Sequence, residues 1–452
     1  MVVIYGLSAL EYHATAPILR LAVIPEELAS TPPPMGCGLE KRLLRQRKNA
    51  RDVARHLCGR LLGELKGLSL PVRVLTDEVS ATAKTALFHA SRMRDDLPRE
   101  DLINLGGGLY VTTIERTLLD CAYRLSPVQL MVRLFEACGT YAVPPAVPRV
   151  RCAVNMLLAS GEITPEHPSG ERPRIFEFYD AKGRRALPYE AQADSLPWEL
   201  CFDTCGRPTR LWRRPPLTSK GRIARYIDGV VHTRGVAPLR HVLGNVIDGS
   251  ASPLETEVLL MLCGSKWIGG EGWEAPWVNR RLDFPSNIRA LSGQGYAIPD
   301  QMWLDRGIIF ECQGKAFHAD EQGFEVRNGR RAGLEALGFE VREITDAQVR
   351  NLEIWDAMLE GFSRALDMPL RKKDSSLLAA ARRAARGAFW YEISVSLHND
   401  MASRGLDGGN SIRAGLLMRK RGKDCAPCRG APWFWPNQRM EAPCCAKLPP
   451  KD

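Results

Sequence analysis

Asp300 and Glu311 are the two residues whose type and spacing point most directly to chemistry in this chain. Both lie in the stretch YAIPDQMWLDRGIIFECQGKAFH, residues 296–318. Two apolar runs flank Asp305-Arg306-Gly307, a turn tripeptide whose glycine tolerates positive φ, so the segment reads as an antiparallel hairpin. If Asp305 and Arg306 form a two-residue loop, Leu304 pairs with Gly307 and Asp300 falls opposite Glu311. Their side chains then leave one face of the sheet. If Gly307 is instead a bulge residue in a three-residue loop, the register moves by one and the carboxylates separate. Two carboxylates meeting across adjacent strands make a hard oxygen site for Mg2+ or Mn2+ with room for water and a phosphate oxygen. Phosphodiester hydrolysis needs such an arrangement.

Pro299-Asp300 followed by Glu311-Cys312-Gln313 resembles the PD-(D/E)XK nuclease superfamily. More narrowly, Asp300, Trp303, Glu311, Gly314, His318, Arg331, Leu334, Gly338 and Thr345 are similar to the pattern of the very-short-patch-repair-related (Vsr-like) endonuclease domain. The chain departs from that pattern at Gln313, where the family has a second acid and the superfamily a lysine. It departs again at Asn328, where an acid usually precedes the arginine. The resemblance implies a restriction-endonuclease-like αβββαβ core with a mixed sheet over residues 249–368 and metal-dependent hydrolysis of DNA. It implies Asp300 and Glu311 as ligands of Mg2+ or Mn2+, joined by an acid from the preceding helix, Glu255 or Glu257. Capping already accounts for Glu255, which favours Glu257. His318 or Lys315 would assist proton transfer and Gln313 would orient a water. Lys315 is spaced two residues from Gln313, so it brings an ammonium to the same face if the strand continues past Gly314.

The elements that must position these residues are marked by end signals. Ser252-Pro253-Leu254-Glu255 supplies an N-cap with proline at N1 and glutamate at N3 of a helix. A strand is expected around Arg281 to Phe284, ahead of the hairpin. Residues 320–337 read as a helix closed by Gly338, Phe339 to Ile344 as a strand, and Thr345 with Gln348 as the cap of a further helix. Arg327, Arg330 and Arg331 lie on the first of these helices and are candidate contacts to backbone phosphates.

Upstream, residues 1–145 read as an α+β unit. Its opening IYGLSALEYH is expected to be buried, and the basic run through Lys41, Arg42, Arg45, Arg47 and Lys48 to be a solvated face. Leu109 to Thr112 reads as a strand feeding a helix capped at Thr113, and Ser126-Pro127-Val128-Gln129 as a capping box whose helix ends at Gly139. The motif Thr113 with Arg116-Thr117-Leu118-Leu119-Asp120 resembles the mid-region of AbiEi-like type IV antitoxin proteins, which implies a toxin or defence partner. Arg116 and Asp120 are one turn apart and can simply pair. Residues 146–248 read as an α+β connector, with a linker at Pro144, Pro145 and Pro148. Strands are expected at Ile175 to Tyr179 and Ala186 to Tyr189, and helices at Ser219 to Asp228 and Val236 to Ile247.

Across 452 residues the net charge is +10, which suggests a polyanionic partner until it is located. Residues 371–452 hold 16 Lys/Arg against 7 Asp/Glu, whereas residues 300–350 hold 7 against 10. The stretch 369–452 is therefore expected to be a disordered basic tail adding salt-dependent, non-specific nucleic-acid affinity. Cys201 with Cys205, and Cys425 with Cys428 ahead of Cys444-Cys445, lack the paired spacing of a zinc site, so zinc is not expected. Thirteen scattered cysteines and no basic residue before Arg20 fit a cytoplasmic chain, and no apolar run reaches a membrane span. The alternative to an endonuclease is an antitoxin-like regulator or nucleic-acid-binding module that keeps the fold without turnover.

Overall fold

The computed structural model describes residues 1–21, 65, 68–78, 83–84, 88–93, 97–145, 148–163, 198–202, 207–230, 233–313 and 321–371. The chain divides into a unit over Met1–Leu406 and a second over Asp407–Asp452, and every described residue belongs to the first. It is an α+β assembly with mixed sheets.

The opening residues form β1 (Val2–Ile4) and α1 (Gly6–Ala14), followed by α2 (Pro17–Leu21). A six-stranded mixed sheet is completed by β2 (Val72–Thr76), β3 (Ala83–Lys84), β4 (Phe88–Arg92), β5 (Leu102–Asn104) and β6 (Leu109–Thr112), in the order β3-β4-β2-β1-β6-β5. β1 is central and wholly buried, which its uninterrupted apolar sequence requires. In β2, VRVLT alternates between buried and half-buried positions, as a strand with one face on the core does. Thr113 precedes α3 (Ile114–Ala122), and Ser126 forms the expected capping box with Gln129 at the start of α4 (Pro127–Cys138), which stops at Gly139. The Arg116 guanidinium is engaged within the fold: it bonds Asp120 at 3.1 Å and Asp101 at 3.2 Å, and Asp101 also accepts from the Tyr226 hydroxyl.

Next come β7 (Tyr141–Ala142), α5 (Pro148–Ala159), β8 (Glu199–Phe202) and β9 (Pro208–Arg213), with the strands ordered β7-β9-β8. Pro148, read as linker, instead opens α5, where a proline in the first turn gives up no helical hydrogen bond. Helices α6 (Lys220–Gly229) and α7 (Val236–Leu243) match the expected pair. The two strands expected at 175–179 and 186–189, the basic run at 41–48, and the tail from residue 372 lie outside the described residues.

One apolar core draws on all three expected units: Leu118 and Phe135 of the first, Ile223 and Leu239 of the connector, and Leu259 and Leu260 of the third. Backbone bonds reinforce the junction, with Thr140 N–H donating to Ser250 O and Gly249 N–H to Cys138 O.

The last part begins with α8 (Pro253–Cys263), capped as expected by Ser252, whose Oγ accepts from Glu255 N–H. It continues with β10 (Trp277–Val278), β11 (Leu282–Asp283), α9 (Ser286–Ser292), β12 (Tyr296–Ala297), β13 (Gln301–Trp303), β14 (Ile308–Gln313), α10 (Glu321–Ala336), β15 (Glu340–Thr345), α11 (Asp346–Arg350) and α12 (Leu352–Leu366). The sheet order is β10-β13-β14-β15, antiparallel except for the parallel pair β14/β15. The strand expected at 281–284 is real but lies elsewhere: β11 pairs with β12 in a separate ribbon, and β10 is the strand that joins the sheet.

Alternation along β13 and β14 sends Trp303, Ile308 and Phe310 to one face, against Val258 of α8 and Trp355 and Phe362 of α12. Met302 and Ile309 go to the other, against Ile288 of α9 and Leu334 of α10. Helices α9 and α10 approach closely because α10 carries glycine at 329 and 333. A Cβ on Gly329 would lie 2.4 Å from Ser292 O, and one on Gly333 2.9 Å from the Phe284 ring.

Candidate active site

The hairpin keeps the register of the two-residue loop. Trp303 pairs with Ile308 and Gln301 with Phe310, and one further step along the ladder sets Asp300 opposite Glu311. The connection is a tight 3-10 turn over Leu304–Arg306 closed by Gly307 at φ 64°, so the glycine takes up the left-handed conformation without shifting the ladder. Asp300 Oδ2 accepts the Cys312 N–H at 2.6 Å. Glu311 Oε2 accepts from Arg330 Nη2 at 2.9 Å, while its Oε1 is buried with no hydrogen-bond partner.

The third carboxylate comes from α8, and it is Glu255. Its Oε2 accepts from Asn279 Nδ2 at 2.6 Å and from Ala251 N–H at 2.8 Å, so the residue assigned to capping also faces the sheet end. Glu257 is buried as well, but two residues along a helix is a rotation of about 200°, which turns it away from Glu255's direction. Burial pushes the pKa values of Glu255 and Glu311 up to about 8, and the charge of Asp300 adds to the rise in both. Asp300 is raised by burial too, opposed by the Cys312 N–H and by Arg330. Three carboxyls thus share one buried neighbourhood and repel one another when ionised.

Asn279 is a residue that motif reading passed over. It sits just after β10 at φ 46°, donates from its backbone N–H to Asp300 O at 3.0 Å, and donates from its amide to Glu255 and to Gly249 O. It therefore ties the helix acid to the strand acid. Asparagine is among the few non-glycine residues that accept positive φ readily, and its place between Val278 and Arg280 was the only local signal. Gln301 lies on the opposite sheet face, with Oε1 buried and unbonded and Nε2 toward Glu255 O.

Of the other expected residues, Gln313 ends β14 half-buried, opposite Thr345. Lys315 and His318 lie outside the described residues. Arg330 turns inward to Glu311, and Arg331 pairs with Glu335 at 2.8 Å and Glu343 at 3.7 Å. Arg327, one turn before Arg331, is half-buried. The three arginines do not form a common outward row.

Among the described residues, no three His, Cys, Asp or Glu side chains converge as a ready ligand set, since each of the three carboxylates is turned onto protein donors. Compared with family models, with curated proteins and with solved structures, the chain matches none. Among the described residues no helix is long and apolar enough to cross a membrane.

Proposed function

We propose that this chain hydrolyses phosphodiester bonds in DNA with a divalent cation, Mg2+ or Mn2+, held by Asp300, Glu311 and Glu255. The observation that carries the reading is the gathering of these three acids from a hairpin and a helix N-terminus into one buried neighbourhood. The donor chemistry fits the ion. The three acids offer hard oxygen donors close enough to feel one another's charge, and Glu311 Oε1 has no protein partner. Burial raises the pKa values of all three, and the Asp300 charge raises those of the two glutamates further, so a dication is the group that relieves them. The order helix, strand, hairpin, helix, strand, with a parallel last pair, supports the αβββαβ core that the sequence motif implies.

When bound, the cation supplies Lewis-acid polarisation of the phosphodiester and a more acidic water. The chain's own residues do the rest. Asn279 and Ala251 N–H hold Glu255 in place and the Cys312 N–H holds Asp300, while Arg330 favours the ionised form of Glu311 and places a positive charge beside the site. Gln313 offers an amide to orient water but no charge. That role falls to Arg330, with Lys315 the candidate next along the chain.

A second reading, a non-enzymatic nucleic-acid-binding or antitoxin-like regulator on the same fold, is favoured by two observations: the missing charge at Gln313 and the engagement of every carboxylate by protein donors. A nicking assay separates the two. Full-length protein with supercoiled plasmid should give open circles with Mg2+ or Mn2+ and none with EDTA. Absence of nicking with either ion favours the regulator.

A further inference from the structure

The arginines that sequence reading offered for phosphate contact are largely committed to acids within the fold, and residues 300–350 carry more acids than bases. The strand and ribbon beside the acids bring a second group of cations. Residues 277–296 hold Arg280, Arg281 and Arg289 against the single acid Asp283. Two of these arginines sit over aromatic rings: the Arg280 guanidinium carbon is 3.5 Å from the centroid of Trp277, and that of Arg281 is 4.0 Å from that of Tyr296. Arg281 also bonds Asp283 at 2.7 Å, an exposed pair that solvent weakens and a phosphate can displace. Trp277 is 38 % exposed on β10, which stands at the end of the strand order among the described residues. An aromatic ring beneath a guanidinium fixes its plane in advance, so less rotamer freedom is lost when its fork meets a phosphate. Exposed ring area beside it offers a surface on which an unpaired base can stack. Asn279, between Trp277 and Arg280 in sequence, is bonded to the Asp300 backbone carbonyl and to the Glu255 carboxylate, so this stretch of chain borders the acids.

We infer that Trp277, Arg280, Arg281 and Tyr296 form a docking strip for a single DNA strand, with phosphates on the two guanidinium groups and an unpaired base against Trp277. This deepens the nuclease reading and rests on it for the role of the neighbouring acids. A paired duplex hides its base faces and could use only the arginines, so the strip favours an unpaired or locally opened strand.

The test is binding of a fluorescent oligothymidylate of about 20 nucleotides to the full-length chain, by anisotropy across a salt series in EDTA. Without a divalent ion the result does not depend on whether the acids hold a metal, so failure here is distinct from failure to nick plasmid. Arg280→Gln with Arg281→Gln should reduce the slope of log affinity against log salt by about 1.4, since each phosphate left unneutralised lowers it by about 0.7. Arg240→Gln, which removes an arginine paired to Asp228 elsewhere, should leave it unchanged. Trp277→Ala should weaken the oligothymidylate roughly tenfold and Trp277→Tyr, which keeps a ring, should recover most of that. An unchanged slope in the double variant overturns the inference. So does a Trp277→Ala variant that binds as the wild type does, or that loses as much affinity for a duplex as for the single strand.

Discussion

At the scale of single residues, the pairing of Asp300 with Glu311 was legible because it depends on one count across a turn, and Gly307 could adopt positive φ without adding a residue to the ladder. The nearness of Glu255 to Asp300 was hidden because a helix-capping signature and an acid facing the sheet end can be the same residue: Ser252 accepts from its N–H while its carboxylate reaches Asn279. Asn279 had no readable pattern, since its importance comes from a backbone conformation and two partners distant in sequence. The uncharged Gln313 is where a gain is expected. Gln313→Lys should raise the metal-dependent cleavage rate about tenfold or more, measured as initial rate of plasmid nicking, because a charge near the phosphate is worth a few kcal/mol in a dry site. A fall would mean that Arg330 already fills that role and a second cation competes with it. Away from the site, Glu11 is buried in α1, accepts the Ser69 N–H at 2.8 Å, and has its pKa raised by burial to about 7. The folded state therefore holds this proton more tightly than the unfolded chain. No penalty exists below the unfolded value of 4.5, and stability is lost as pH rises toward 7. Glu11→Gln, which keeps the acceptor oxygen, should show a smaller drop in Tm between pH 5 and pH 8 than the wild type.

At the scale of elements, end signals were legible and short strands were not. The caps at Ser126, Ser252 and Thr345 all hold, because each is a local hydrogen bond fixed by residue type and spacing. β10 has two residues, too few to show a period, and the apolar signal near it points to 281–284, which pairs with β12 instead. The close approach of α9 to α10 was also invisible in advance, since glycine within a helix reads as a weakness until a neighbouring backbone is found against it. Alanine at 329 should gain roughly 1 kcal/mol in helix propensity. The Cβ would meet Ser292 O at 2.4 Å, and a backbone atom cannot swing aside. Overpacking costs about 1–3 kcal/mol, so the net expectation for Gly329→Ala is a lowered Tm in thermal unfolding. A Tm at or above that of the wild type would show that α9 shifts freely.

At the scale of the whole molecule, the α+β character followed from the mixture of strand and helix signals, but the partition into successive units did not account for how the core is shared. Helices from the first 145 residues, the connector and α8 fill one apolar core. Loop composition cannot reveal this, because packing partners far apart in sequence leave no mark between them. Around the boundary expected after residue 368, Met368 is buried, Pro369 O accepts from Trp273, and the Arg371 N–H donates to Glu271. These bonds close the unit that carries the candidate site around α8 and the β10-β15 sheet. The central claim for that site is that Asp300, Glu311 and Glu255 share a divalent cation. The most direct test is titration of Mn2+ onto the full-length chain, followed by the loss of the free-ion electron paramagnetic resonance signal. Saturable binding is expected for the wild type, with affinity at least tenfold lower in Asp300→Asn and in Glu311→Gln and the circular dichroism of both variants unchanged. Binding that is absent in the wild type, or that survives both substitutions intact, would contradict it.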